Sequence, residues 1–275
     1  FIFGSMFGLI GFSFFIAWAL ASICICQHPW AVSFQISRAF SGASCQKDTV
    51  CLAYLTAAED MSSSVIVNFH ANIDKPPRLA VAWIWRVDQS IDDGMAYEAK
   101  CSRIRAIKDE NRFVCWADVT NLTAGVEYAA QPRIFDRRHK SHYLPISIEN
   151  ATDKVLQFEL PDENKPFAFV AGGDYQVGPL AVELSNYAAN QKLKPHFTLI
   201  GGDITYANAL PACYRRWDIF LREWYQTLRF TQIIASPGNH DSGQYFDAKK
   251  KNIPFYMAYF PQKLNLSNES PNFED

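Results

Sequence analysis

Three short stretches carry side chains whose types and order suit metal-assisted hydrolysis. They are Gly172-Gly173-Asp174, Gly201-Gly202-Asp203-Ile204-Thr205-Tyr206 and Gly238-Asn239-His240-Asp241. Hard oxygen donors with an imidazole nearby suit divalent or trivalent first-row metals. A carboxylate shared by two ions would let Asp203 hold them about 3.5–4 Å apart, the spacing of two-metal hydrolytic centres. A Gly-Asp after a strand is, by itself, an ordinary turn. The surrounding elements therefore decide whether these residues meet.

Each stretch follows a short apolar run that reads as a buried strand: Phe167–Ala171, His196–Ile200 and Thr231–Ala235. The first two strands are separated by a helical stretch from Leu180 to Leu193. The last two are separated by a second one from Ala212 to Phe230. That second helix places Trp217, Phe220, Leu221, Trp224, Tyr225 and Leu228 at three- and four-residue intervals, a core-facing stripe. The order β-α-β-α-β favours parallel strands with right-handed crossovers. Ligands of such sheets sit in the crevice outside the carboxyl ends, where Asp174, Asp203, Asn239 and His240 would gather. The glycines let the backbone turn sharply and close on what is bound.

The remainder of the chain is of another kind. From Ser62 to about Pro161 short apolar or alternating runs recur between polar turns: Val65–Phe69, Leu79–Trp85, Arg112–Trp116 and Val155–Leu160. This pattern predicts a small all-β sandwich over 62–161, set off by the polar, proline-bounded segment Asp162–Pro166. Val119–Tyr128 resembles the corner of a fibronectin type III domain, where Leu122 and Tyr128 would anchor the last strands. His139 and His142 stand among Arg137, Arg138 and Lys140 and read as solvated rather than metal-binding.

No charged residue occurs before Arg38, and Phe1–Cys26 is almost continuously apolar, long enough to cross a bilayer as one helix. Residues 1–30 are expected to be a signal peptide or a membrane anchor, with Ala19-Leu20-Ala21 as a cleavage signal in the first case. Either places the rest in the secretory lumen or outside the cell. Asn-x-Ser/Thr triplets at Asn121, Asn150, Asn265 and Asn268 agree, as do seven cysteines. Cys45 and Cys51 bracket a five-residue loop, and Cys101 and Cys115 lie on two strand-like runs that a disulfide could staple. With 26 basic and 28 acidic side chains, nothing points to nucleic-acid binding.

Gly173-Asp174, Gly202-Asp203-Ile204-Thr205-Tyr206 and Gly238-Asn239-His240-Asp241 resemble the first three blocks of the calcineurin-like metallophosphoesterases. The tyrosine three places after Asp203 narrows the resemblance to the purple acid phosphatases, as does Arg216-Trp217-Asp218 between the second and third blocks. The resemblance spans roughly residues 62–260. It implies an α/β metallophosphoesterase sandwich over 166–275, preceded by a fibronectin type III-like β-sandwich and the apolar leader helix. Asp174 and Tyr206 would bind Fe(III), and Asp203 would bridge to a second divalent metal (Zn, Fe or Mn) that Asn239 also holds. His240 would meet the substrate phosphate or protonate the leaving alcohol, with Asp241 orienting it. A metal-bound hydroxide would attack a phosphate monoester, the acid phosphatase reaction.

The family's later histidine blocks, Val-x-x-His and Gly-His-x-His, are absent. Of six histidines only His240 follows one of these strands. The chain is therefore expected to be a C-terminally truncated fragment that binds two metals poorly by itself, which puts its activity alone in doubt. Two rival functions share these residues: a diesterase or pyrophosphatase on the same fold, or a membrane-tethered adhesion protein with a degenerate phosphatase domain. Substrate identity and oligomeric state have no signature in the sequence.

Overall fold

A computed structural model describes residues 45–104, 107, 110–135, 155–192, 194–207, 214–241 and 254–260. The apolar leader, His139, His142, Cys213 and the triplets at Asn150, Asn265 and Asn268 lie outside the described residues. The strands are β1 (Thr49–Ala57), β2 (Val65–Asn72), β3 (Leu79–Arg86), β4 (Met95–Glu98), β5 (Lys100–Arg103), β6 (Arg112–Val119), β7 (Glu127–Phe135), β8 (Leu156–Glu159), β9 (Phe169–Gly172), β10 (Phe197–Ile200) and β11 (Gln232–Ala235). The α-helices among the described residues are α1 (Pro179–Ala189), α2 (Arg215–Glu223), α3 (Tyr225–Leu228) and α4 (Pro254–Tyr259).

A seven-stranded sheet runs in the order β5-β6-β2-β1-β11-β10-β9, and a four-stranded antiparallel sheet in the order β4-β3-β7-β8. The two enclose one core, in which Val67 and Phe69 of the large sheet meet Ile84, Ile134 and Phe158 of the small one. On its other face the large sheet is covered by helices, where Tyr54, Val114 and Ile233 pack with Trp217, Phe220 and Phe255. Each buried Leu or Phe contributes about 1.5–3 kcal/mol.

The strands β9, β10 and β11 pair in parallel, as the β-α-β-α-β order predicts. The β strands expected from Ser62 onward form, but one more precedes them. Strand β1 is buried along almost its whole length because it has a layer on each side. It pairs antiparallel with β2 and parallel with β11, so one sheet continues across the proline-bounded segment near Pro161. A bulge between Cys51 and Tyr54, with Leu52 at φ 51°, re-aims its first residues.

Both anticipated disulfides form. Cys101 and Cys115 are direct partners across β5 and β6, and Cys45–Cys51 ties the entry of β1. The corner at Leu122 and Tyr128 exists as local structure: both are buried, and the Thr123 N–H donates to the Tyr128 hydroxyl at 3.0 Å. The stretch expected as one helix, Ala212–Phe230, divides at Trp224, whose φ and ψ of −89° and 1° leave the helical range. This break sends neighbouring aromatics to different cores. Trp224 packs under the helices and Tyr225 reaches the space between the sheets.

Candidate metal centre

The carboxyl ends of β9, β10 and β11 are level, because Ile200 pairs with Gly172 on one side and Ala235 on the other. Asp174, Asp203 and Asn239 follow within a few residues of that line. Further backbone bonds tie the loops together. Gly201 N–H donates to Gly172 O at 2.7 Å, and Asp174 N–H to Gly202 O at 3.1 Å.

The loops are conformationally unusual. Asp174, Asp203 and Tyr206 have φ of 52°, 49° and 55°. A left-handed backbone is uncommon in residues other than glycine, and such outliers collect at functional sites. Gly202, at φ 106°, explains how the second loop turns so tightly. A Cβ there would lie 2.8 Å from the Cα and N of Gly238. Conversely, a Cβ on Gly238 would collide with the carboxylate and main-chain nitrogen of Asp203. These two glycines permit the β10 and β11 loops to touch.

The candidate side chains converge on these loops. The Tyr206 hydroxyl donates a hydrogen bond to Asp174 Oδ1. The His240 backbone N–H donates to Asp203 Oδ1 at 2.9 Å, and the His240 and Tyr206 ring centroids are 4.4 Å apart. Asn239 is half-buried in the same turn. With these strand ends and loops, the fold resembles that of a purple acid phosphatase.

One similar structure is a purple acid phosphatase from yellow lupin (Lupinus luteus) seeds, at a TM-score of 0.62 and 11% identity. The match covers 78% of this chain but only 40% of the lupin protein's length. PhoD aligns over 75% of this chain and 44% of its own, at a TM-score of 0.46 and 13% identity. No protein-family model and no curated protein matches the sequence. The likeness is thus one of fold.

Within this fold the Asp241 carboxylate is held by main-chain donors of two loops. Its buried carboxylate accepts the Ile204 N–H at 3.1 and 3.2 Å and the Gly238 N–H at 3.0 Å. Asp241 therefore clips the Asp203 loop to the His240 loop. Burial raises its pKa, and the backbone donors oppose that rise. The Tyr206 pKa is also raised, first by burial and then by the hydrogen bond and charge of Asp174.

The contact between Tyr206 and Asp174 bears on whether a metal fits. The phenol oxygen and a carboxylate oxygen lie against each other, two hard donors of the kind a ferric ion takes. That pair fits one ion. Among the described residues, no three His, Cys, Asp or Glu groups converge to hold an ion, so a centre here depends on the Tyr206 phenol and the Asn239 amide.

Helix α2 contributes residues with no expected role. Arg216 Nε donates to Thr205 O at 2.5 Å, just before Tyr206. Glu223 Oε2 accepts the Gly178 N–H at 2.5 Å, at the end of the Asp174 loop. Burial lowers the Arg216 pKa to about 10, with Glu223 opposing the shift. The sequence signal for both is polar residues two turns apart on a helix that is otherwise aromatic inside. On the same helix the buried Asp218 accepts Arg112 Nη1 and Nη2 at 3.1 and 3.0 Å and the Tyr259 hydroxyl at 2.6 Å.

Proposed function

We propose that this protein is a phosphoesterase-type hydrolase of purple acid phosphatase kind, acting on phosphate monoesters outside the cytosol. Residues 166–275 carry the chemistry in this reading, and the fibronectin type III-like region 62–161 supports them. One observation carries it: three parallel strands end level and are followed by left-handed Asp174 and Asp203 and by the Asn239-His240 turn. The two disulfides support an oxidising compartment. No helix among the described residues is long and apolar enough to cross a membrane.

In this account Asp174 and Tyr206 would hold Fe(III), and Asp203 and Asn239 would hold a second ion, Zn, Fe or Mn. Such a pair, when bound, supplies Lewis-acid stabilisation of charge on the phosphoryl oxygens. The chain's own groups do the rest. Asp203 is fixed by the His240 N–H, and Asp241 keeps the two loops at a set separation. His240, beside the Tyr206 ring, delivers a proton to the departing alcohol oxygen. Hydrolysis of p-nitrophenyl phosphate by protein supplied with Fe(III) and Zn(II) is the test. Activity that Asp203→Asn removes, and that exceeds activity on bis(p-nitrophenyl) phosphate, supports a monoesterase. Faster turnover of the diester, or activity indifferent to Asp203→Asn, overturns it.

A further inference from the structure

We propose that helix α2, which carries no candidate ligand, sets the gap between Asp174 and Tyr206 through two positioning residues, Arg216 and Glu223. The proposal rests on reading Asp174 and Tyr206 as ligands. The two polar residues stand seven positions apart, two helical turns or about 10.5 Å along one face. From that face Arg216 reaches the loop after β10 and Glu223 the loop after β9.

Each contact falls where it fixes a strained residue. The Thr205 carbonyl belongs to the same peptide plane as the Tyr206 nitrogen. Holding that carbonyl by Arg216 Nε orients the plane, and with it the left-handed Tyr206 and the direction of its phenol. On the other loop, Asp174, Gln176 and Gly178 all have positive φ, at 52°, 56° and 144°. Glu223 secures the end of that run at the Gly178 N–H. Backbone held in sparsely populated conformations persists only when its surroundings over-determine it.

The helix itself is anchored from its other side. Asp218 forms a two-pronged pair with Arg112 of β6, both fully buried, and takes the Tyr259 hydroxyl as well. Sheet position is thereby passed to α2 and from α2 to both candidate ligand loops. A loss at either residue frees one loop and lets the Tyr206–Asp174 contact open.

Amide hydrogen exchange on the metal-free full chain, joined to an Fe(III) titration followed by visible absorbance, tests this. Arg216→Gln is expected to speed exchange across 201–207, and Glu223→Ala across 172–178, by about tenfold or more. Each should weaken Fe(III) binding about 10–100-fold, the usual effect of losing a residue that supports a ligand. Glu223→Gln, which keeps the acceptor, should stay within about threefold of wild type. Should Arg216→Gln not fold, the half-buried Glu223 pair of variants decides alone. Unchanged exchange in the corresponding loop, or a Glu223→Gln defect equal to that of Glu223→Ala, overturns the proposal. If wild type shows no Fe(III) band, the ligand assignment falls, and exchange alone judges the clamp.

Discussion

Gly202→Ala tests the close approach of the two candidate ligand loops more sharply than any other small change. At φ 106° an alanine is strained whatever the space around it, at about 1–3 kcal/mol. Its Cβ would also sit 2.8 Å from Gly238 Cα and N, which are backbone atoms and cannot rotate away. Relief requires the β10 and β11 loops to part, an overpacking cost of about 1–3 kcal/mol. The sum, about 2–6 kcal/mol, is a large share of the 5–15 kcal/mol typical of a folded domain. Gly173 is the built-in control. It occupies the same place in its own Gly-Gly-Asp, yet a Cβ there meets nothing nearer than Gly202 O at 3.8 Å. Gly173→Ala should be neutral or stabilising by up to about 1 kcal/mol. Urea unfolding of the metal-free proteins, with amide exchange at 238–241, measures both. Equal unfolding midpoints for the two variants, with unchanged exchange, would refute the reasoning.

Three further outcomes concern the scaffold. Removing Asp218 leaves the Arg112 guanidinium buried without its two-pronged partner, so Asp218→Ala should cost about 3–5 kcal/mol in denaturant titrations; a loss under 1 kcal/mol contradicts the anchor. His70 is fully buried, and the hydroxyl of Tyr54, which donates to Tyr259 O, meets its Nε2 while Arg112 faces its Nδ1. Burial first, and then Arg112, hold its pKa well below the usual histidine value, so only the unfolded chain takes up this proton as pH falls below about 6.5. Stability should then fall with acidity by up to about 1.4 kcal/mol per pH unit, and His70→Gln should flatten that slope between pH 7 and 5; an unaltered slope speaks against it. Opening the Cys101–Cys115 bridge by paired Cys→Ala changes frees a 14-residue separation, worth about 3 kcal/mol, readable as a lower guanidinium midpoint.

Much of the candidate site is legible in local pattern. The apolar runs before Gly172, Gly201 and Ser236, with helical periodicity between them, are enough to order β9, β10 and β11 and to bring Asp174 and Asp203 to one edge. What escapes such reading is long-range or conformational. Strand β1 is not read from the sequence, where only the five-residue loop between Cys45 and Cys51 at its start is singled out, and nothing local says that Leu55 lies beside Gln232. Left-handed Asp174 and Tyr206 are equally hidden, since their conformation is imposed by neighbouring loops rather than by residue type. The same applies to Asp241. Beside His240 in sequence it looks like the partner of an imidazole, and nothing local says that its carboxylate also binds the backbone of the Asp203 loop. His70, Arg112 and Asp218 come from separate stretches, and their burial together is visible only once the helices cover the sheet.

The most direct test of the metal-centre reading is the visible spectrum on adding Fe(III) to the purified protein, with Tyr206→Phe alongside. In this reading the adjoining Asp174 carboxylate and Tyr206 phenol would hold one hard cation, and a phenolate bound to ferric iron absorbs visible light. Wild type is expected to develop a phenolate-to-iron band that Tyr206→Phe lacks. No band in the wild type, or one that persists in Tyr206→Phe, would contradict the assignment of this site.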